Sequence, residues 1–126
     1  MNVLIVDDEV DTINFFSTFL KRLGLNVEKA SCGEEALALF NRHKPEWVFL
    51  DIKMPGMNGL DLLKQMKGID AGIKAIVISG KDDEIAQNEA RELGASDYLI
   101  KPIDLDEMHR LIRKYIPEGQ EQNTAT

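Results

Sequence analysis

The sequence lacks several features that mark particular classes of protein. Its single cysteine, Cys32, excludes an internal disulfide and a cysteine cluster for a metal, and we expect a buried or half-buried thiol there. No apolar run approaches the roughly 20 residues that span a bilayer. Met1 is followed by neither a basic flank nor a signal-peptide cleavage site. We therefore expect a cytoplasmic protein that does not associate with a membrane.

Basic residues are few and scattered. The 126 residues contain 15 lysines and arginines against 22 aspartates and glutamates, which gives a formal net charge of −7. Proteins that bind nucleic acid neutralise its phosphates with clustered basic residues, so we expect no direct binding of nucleic acid by this chain. The histidines, His43 and His109, lie far apart among charged neighbours, which favours surface residues over metal ligands or catalytic bases.

Short apolar runs alternate with helical repeats along the chain. Continuous apolar runs at residues 3–6, 47–50 and 75–78 are typical of strands buried on both faces, and weaker runs at 25–29 and 98–100 suit sheet edges. Apolar residues at spacings of three and four predict a helix after each strand. This alternation predicts an α/β fold, a doubly wound five-stranded parallel sheet with helices on both faces.

Glycines and capping residues predict where the helices end and begin. Gly24 and Gly94 follow the last apolar positions of the first and fourth repeats, as glycines at helix C-termini do. Residues suited to N-terminal caps precede the second to fifth repeats: the capping-box pair Ser31 and Glu34, then Asn58, Asp82 and Asp104. The length suits one domain, which we place at residues 1–116, and the polar residues 117–126 predict a disordered tail or a linker stub.

Polar side chains follow four of the predicted strands at their carboxyl ends. In a doubly wound sheet the functional crevice lies at this edge. The residues are Asp7, Asp8 and Glu9 after the first strand, Asp51 after the third, Ser79 and Gly80 after the fourth, and Lys101 and Pro102 after the fifth. Each alone is explained as a cap, a turn or a surface residue. Together they supply groups of matching chemistry to one crevice.

The acidic residues of this set predict a site for a metal ion and a phosphoryl group. Three carboxylates in a partly dry pocket repel one another and require compensating positive charge. Lys101 supplies one charge, and Mg²⁺ supplies two more because it binds one or two carboxylates and completes its shell with waters and a phosphate oxygen. Asp51 then serves as a nucleophile, and Mg²⁺ held by Asp8 and Asp51, the Lys101 ammonium and the Ser79 hydroxyl surround the transferred oxygens.

Four stretches of the sequence read, in chain order, VLIVDDE, LDIKMPGMNG, VISG and GASDYLIKP. They resemble the motif blocks of the receiver domains of bacterial two-component response regulators, a family that includes the chemotaxis regulator. The resemblance covers about residues 2–116 and implies the flavodoxin-like strand order 2-1-3-4-5.

The resemblance also implies a role for each site residue. A sensor histidine kinase or a histidine phosphotransfer protein would phosphorylate Asp51 in a phosphorelay. Mg²⁺ would be held by Asp8, Asp51 and the backbone carbonyl of Lys53, with Asp7 acting through a water. Lys101 would contact the phosphoryl oxygens, and the peptide bond that follows it resembles the family's cis bond to proline.

The resemblance extends to a conformational switch. Ser79 and Tyr98 are similar to the hydroxyl and aromatic residues that move on phosphorylation, which would alter the surface of the fourth helix, fifth strand and fifth helix. The chain would then be no metabolic enzyme, because it would catalyse only its own phosphorylation and dephosphorylation. It would signal to a downstream effector or a fused output domain. Whether phosphorylated copies pair as homodimers stays open.

The resemblance also bears on the lifetime of the phosphoryl group. Lys53 and Lys81 occupy positions that in this family flank the approach of the hydrolytic water and vary between members. Two long cations there could obstruct the water or attract the phosphoryl group, so we expect slow self-dephosphorylation.

Three other functions stay open. A phosphatase of the haloacid-dehalogenase type also uses an aspartate nucleophile, but this chain lacks that family's second carboxylate. A flavodoxin-like flavin carrier should have glycines and hydroxyls in its first loop, which here reads DDEVDT. A receiver-shaped scaffold that acts by binding alone is the third.

Overall fold

The structure, a computed structural model, describes residues 1–54, 57–80 and 83–115. In these residues five longer strands alternate with five helices: β1 (Asn2–Val6), α1 (Val10–Arg22), β2 (Asn26–Ala30), α2 (Gly33–His43), β3 (Trp47–Asp51), α3 (Gly59–Ile69), β4 (Lys74–Ser79), α4 (Glu84–Glu92), β5 (Asp97–Ile100) and α5 (Leu105–Tyr115). The five predicted strands are confirmed, and each end lies within one residue of its predicted position. A small antiparallel pair of two-residue strands, Lys53–Met54 and Met57–Asn58, lies between β3 and α3 and was not predicted.

The five longer strands form one parallel sheet in the order β2-β1-β3-β4-β5. The predicted doubly wound sheet and the strand order that the resemblance implied are therefore confirmed. Val6 of β1 pairs with Leu50 of β3, so the residues after these strands leave the sheet side by side. The direction of strand succession reverses at β1, which opens a crevice at the carboxyl ends of β1 and β3.

Side chains of the central strands alternate between two core clusters, one on each face of the sheet. Leu4 and Leu50 belong to the cluster that includes buried side chains of α2, α3 and α4. Ile5 and Phe49 belong to the cluster that includes side chains of α1 and α5. Burial of both faces explains the continuous apolar runs in the sequence, and it makes the central strands a rigid support for the residues at their ends.

Most predicted helix limits agree with the structure. Gly24 and Gly94 have φ angles of 86° and 96°, the left-handed conformation that suits glycine after a helix. The Asn58 side chain accepts a hydrogen bond from the Leu60 N–H at 2.9 Å and so caps α3. The Asp104 carboxylate accepts one from the Asp106 N–H at 3.0 Å at the start of α5.

The predicted starts of α2 and α4 are wrong by one residue. Cys32, and not Ser31, is the N-cap of α2, so the glutamate that reaches back is Glu35, which accepts the Ser31 N–H at 2.8 Å. The N-cap of α4 is Asp83. The predicted cap, Asp82, lies outside the described residues. In both places several residues able to start a helix stand side by side, and sequence pattern alone does not choose between them.

Several local predictions have mixed outcomes. Cys32 is exposed, so the prediction of a buried or half-buried thiol is wrong. Cys32 is exposed because it caps the N-terminus of α2 and does not lie on the helix face that packs on the sheet. His43 lies on the surface as predicted, with Nε2 at 3.6 Å from an Oε1 of Glu28, whereas His109 is half-buried against Phe19.

Three expectations concern residues that the structure does not describe. The predicted tail at 117–126 and the predicted domain end at 116 lie outside the described residues, as does Lys81. Among the described residues, no helix is both long and apolar enough to span a membrane.

Candidate functional site

Three carboxylates meet at the carboxyl ends of β1 and β3, as the sequence predicts. Asp51 is the last residue of β3 and is 4% exposed, Asp7 follows β1 and is fully buried, and Asp8 is exposed. One carboxylate oxygen of each residue lies within 4.8 Å of the others. The rigid ends of two adjacent parallel strands thus hold like charges together at the edge of the core.

Lys101 places a positive charge beside these carboxylates. Its backbone N–H donates to the carbonyl of Ser79 at 2.8 Å, which ties the residue after β5 to the end of β4. Its ammonium nitrogen lies 3.0 Å from Oδ2 of Asp51, 2.6 Å from Oε1 of Glu9 and 3.5 Å from Oδ2 of Asp7. The contact with Glu9 was not predicted. The peptide bond from Lys101 to Pro102 is cis.

The pKa values of Lys101 and Asp7 reflect this crowding. Burial opposes the charge on Lys101, but hydrogen bonds to Glu9 and Asp51 outweigh it and hold the pKa of the lysine above its ordinary value. Burial is the main cause that raises the pKa of Asp7 from 3.8 to about 7, and the charge of Asp51 adds to it. The Glu9 N–H, which donates to Asp7 Oδ1 at 3.0 Å, opposes that rise.

The donor set at this edge fits a hard divalent cation. Among the described residues, the buried Oδ2 of Asp7 has no hydrogen-bond partner, and Lys101 at 3.5 Å is its nearest cation. Buried polar atoms are normally satisfied, so an oxygen of this kind indicates a water or an ion. Carboxylate oxygens are the ligands that Mg²⁺ and Ca²⁺ prefer. Asp7, Asp8 and Asp51 therefore form a group able to hold a metal ion.

The segment after β3 fixes the Asp51 carboxylate from the other side. The Lys53 N–H donates to Oδ1 of Asp51 at 3.0 Å, while Lys101 binds Oδ2. The Lys53 ammonium lies 3.0 Å from Oδ1 of Asp83, so this side chain is paired across the rim of the crevice. Each oxygen of Asp51 thus accepts a hydrogen bond, and these two contacts fix the orientation of the carboxylate.

Gly59 allows this segment to lie close to α3. A Cβ on Gly59 would lie 2.4 Å from the carbonyl oxygen of Asp51 and 2.5 Å from the Cα of Ile52, too close for any side chain. The Gly59 N–H also donates to the carbonyl of Ile52 at 2.8 Å. Sequence reasoning did not identify this residue, because the only signal was an Asn-Gly pair that is equally typical of an ordinary turn.

Ser79 has a partner that sequence reasoning also missed. Ser79 ends β4 and is 2% exposed, and its Oγ accepts a hydrogen bond at 3.1 Å from Nε2 of Gln87 on α4. The same Nε2 donates to the carbonyl of Gly80 at 3.2 Å. The available signal was a glutamine three residues before Ala90, at a spacing that places it on the buried face of α4.

Tyr98 lies away from the carboxylates, on β5. It is half-buried, and the Arg91 guanidinium lies 5.6 Å from the centre of its ring. Tyr98 and Gln87 both line a cavity of about 240 Å³ between α4, β5 and α5. The structure thus brings together four of the predicted site residues, Asp7, Asp8, Asp51 and Lys101. Ser79 lies beside them at the end of β4. Tyr98 lies apart from this group and lines the same cavity as Gln87.

Comparison with known proteins gives consistent results. Residues 3–113 match the family model of the response regulator receiver domain. The chain is 35% identical over 115 residues to sporulation initiation phosphotransferase F of Bacillus subtilis (strain 168), covering 91% of this chain and 93% of that protein. It is 32% identical over 118 residues to the alkaline phosphatase synthesis transcriptional regulatory protein PhoP of the same organism, covering 94% of this chain and 49% of PhoP. The crystal structure of the receiver domain of NtrX from Brucella abortus superimposes with a TM-score of 0.84 at 32% identity, covering 89% of this chain and 95% of that one.

Proposed function

Because the chain belongs to the response regulator receiver family, we propose that it is switched by transfer of a phosphoryl group to Asp51. The chain is a signalling domain of the two-component type. The observation that carries the proposal is the orientation of the Asp51 carboxylate, held between the Lys53 N–H and the Lys101 ammonium at the end of a buried strand. Such a carboxylate is preorganised for attack on an incoming group.

The donor in this proposal is a phosphohistidine of a sensor histidine kinase or of a histidine phosphotransfer protein. A carboxylate oxygen of Asp51 attacks the phosphorus, the bond from phosphorus to the imidazole nitrogen breaks, and its electron pair stays on that nitrogen, which takes up a proton from solvent. The product is an acyl phosphate on Asp51. Lys101 stabilises negative charge on the phosphoryl oxygens, and the reaction depends on positioning and charge neutralisation more than on proton transfer.

A magnesium ion completes the proposed site. Asp8, Asp51 and the backbone carbonyl of Lys53 would hold it, and Asp7 would act through a water. When bound, the ion neutralises charge on the phosphoryl group. The unpartnered buried oxygen of Asp7 and the spacing of the three carboxylates support this assignment.

The wider role follows from the same assignment. The domain, residues 1–116 in this proposal, acts in the cytoplasm and catalyses only its own phosphorylation and dephosphorylation. Movement of Ser79 and Tyr98 would alter the surface of α4, β5 and α5, which a downstream effector or a fused output domain would read. The match covers 93% of one relative and 49% of another, so the family contains both short members and members with a second part.

Mass spectrometry after incubation with acetyl phosphate and Mg²⁺ tests the proposal. The wild-type chain should gain one phosphoryl group, and the Asp51→Asn variant should gain none, because an amide oxygen is a far weaker nucleophile than a carboxylate. Asp61→Asn, at an exposed position on α3, is the matched control and should behave as wild type.

Two results would contradict this assignment. An adduct that survives Asp51→Asn would place the phosphoryl group on another residue. If neither the wild type nor the control forms an adduct, the receiver-shaped scaffold that acts by binding alone becomes the better description.

A further inference from the structure

Gln87 is a buried polar side chain whose amide orientation is set by its neighbours. It is 8% exposed, and one side-chain atom lies near both Oγ of Ser79 and the carbonyl oxygen of Gly80. A carbonyl oxygen only accepts hydrogen bonds, so the atom that contacts Gly80 must be the amide nitrogen. Gln87 therefore donates to Ser79 and to Gly80, and it joins α4 to the end of β4.

Gln87 contacts the end of β4, beside the carboxylates, and also lines a cavity at the surface of α4, β5 and α5. Ser79 ends the strand next to β3, whose last residue is Asp51, and it pairs on its other side with Ile100, next to Lys101. Gln87 also lines the cavity between α4, β5 and α5, together with Tyr98 and Arg91. Ser79 therefore cannot move relative to α4 without breaking a hydrogen bond in a buried environment.

We propose that Gln87 is a positioning residue that holds Ser79 and the start of the β4–α4 connection in the resting arrangement, and so sets how readily the site accepts an anionic group. The inference rests on the proposed function, in which the Ser79 hydroxyl turns toward the phosphoryl group on Asp51. In the resting arrangement Gln87 has two acceptors, and movement of Ser79 leaves it with Gly80 alone.

The energetic consequence is a bias toward the resting arrangement. A group that stabilises only one of two states lowers the affinity of any ligand that requires the other. One neutral hydrogen bond changes such an equilibrium by about two- to tenfold. Removal of the Gln87 donor should therefore raise the affinity for a phosphoryl analogue by about that factor.

Calorimetric titration with beryllofluoride in the presence of Mg²⁺ measures this affinity. The single tryptophan is unsuitable as a fluorescent probe, since Trp47 is buried at the start of β3, beside Tyr115 and at the opposite end of the strand from Asp51. Gln87→Met keeps the length of the side chain and removes both donors. Gln65→Met makes the same change at an exposed position on α3 and is the matched control.

The expected result is a gain in affinity that depends on Ser79. Gln87→Met should bind beryllofluoride about two- to tenfold more tightly than wild type, and Gln65→Met should bind as wild type. In a Ser79→Ala background the gain from Gln87→Met should disappear, because the remaining contact with Gly80 is made in both arrangements and favours neither. A role of Gln87 in helix packing alone would leave the gain undiminished.

A second measurement tests the hydrogen bond without any phosphoryl analogue. In NMR spectra of the free protein, Ser79→Ala should shift the side-chain amide resonances of Gln87 and leave those of Gln65 in place. If Gln87→Met does not fold, this NMR measurement and the beryllofluoride affinity of Gln87→Ala test the inference in its place.

The outcomes separate the inference from the proposed function. Equal affinities for Gln87→Met and Gln65→Met, an undiminished gain in the Ser79→Ala background, or unchanged Gln87 resonances would overturn the inference alone. Absence of beryllofluoride binding by the wild type would overturn both.

Discussion

At the scale of single residues, the buried carboxylate of Asp7 links the stability of the chain to pH. Burial raises its pKa from 3.8 to about 7, so over this range the folded chain keeps a proton that the unfolded chain has lost. The resulting stabilisation is complete below the ordinary pKa, and it is lost as the pH rises through about 7. Without a bound cation, the ionised form of Asp7 therefore costs stability at and above neutral pH.

Replacement of Asp7 by asparagine should remove this dependence. With EDTA present, Asp7→Asn should raise the free energy of unfolding by about 2–3 kcal/mol more at pH 8 than at pH 5, because the amide does not ionise. Urea unfolding at both pH values measures the difference, and the exposed Asp61→Asn should change little between them. A gain of equal size at the two pH values would mean that Asp7 is not the titrating group.

The sequence predicts the site residues by position but not their contacts. Asp7, Asp51 and Lys101 were identified because each directly follows a predicted strand, and the carboxyl ends of parallel strands share one edge. The contact of Glu9 with Lys101 and that of Gln87 with Ser79 depend on how far side chains reach between elements distant in the chain. No local pattern encodes that reach.

At the scale of elements, α3 carries two glycines in opposite environments. A Cβ on Gly59 would lie 2.4 Å from the carbonyl oxygen of Asp51, whereas the structure places no atom of a described residue outside the helix within 4 Å of a Cβ on Gly68. The first glycine is required by close contact, and the second carries only the entropic cost of glycine in a helix.

Alanine at these two positions should therefore have effects of opposite sign. Gly59→Ala should lower the free energy of unfolding by about 2–4 kcal/mol, since the segment that carries Asp51 and Lys53 must move. Gly68→Ala should raise it by about 0.5–1 kcal/mol through a smaller loss of chain entropy on folding. Urea unfolding compares the pair, and a similar result for both would contradict the close approach of α3 to β3.

Strand limits were more predictable than helix starts. A strand buried on both faces is a continuous apolar run, and its ends are visible where polar residues begin. The predicted start of α2 was wrong by one residue because three adjacent residues, Ser31, Cys32 and Gly33, can each cap a helix. The hydrogen bond from the Ser31 N–H to the Glu35 carboxylate favours the start that the structure shows. The two-residue strands after β3 have no periodicity that a pattern could show.

At the scale of the whole molecule, a cation bound by the three carboxylates should stabilise the folded chain. A ligand at one hundred times its Kd raises the free energy of unfolding by about 2.7 kcal/mol, and EDTA should reverse that gain. Asp8→Asn should lose most of the Mg²⁺-dependent gain while it leaves the stability in EDTA nearly unchanged, because Asp8 is exposed. Thermal unfolding with Mg²⁺ and with EDTA measures both quantities.

The matched control for this comparison is Asp61→Asn, which should keep the full Mg²⁺-dependent gain. If Asp8→Asn keeps the gain as well, the ion is held elsewhere. If the wild type shows no gain at any Mg²⁺ concentration, the proposed metal site is wrong.

The overall architecture was predictable only in part from the residues themselves. Alternation of apolar runs and helical repeats predicts a parallel sheet covered on both faces, because two parallel strands must be joined by a long crossover, which is usually a helix. The order β2-β1-β3-β4-β5 came from the resemblance to a family. Strand order is a long-range property, and a single sequence contains no signal for which strands become neighbours.

Because the sheet separates the two core clusters, a substitution in one cluster should be compensated by changes within that same cluster. Phe49 and Leu50 are consecutive residues, yet they belong to opposite clusters, so a substitution at one should change stability independently of a substitution at the other. Phe49 and Phe16 are far apart in the chain, but their ring centres lie 5.5 Å apart. Compensating changes in the lineage of this protein should therefore pair alternate positions of a strand with distant helices, and leave adjacent strand positions uncorrelated.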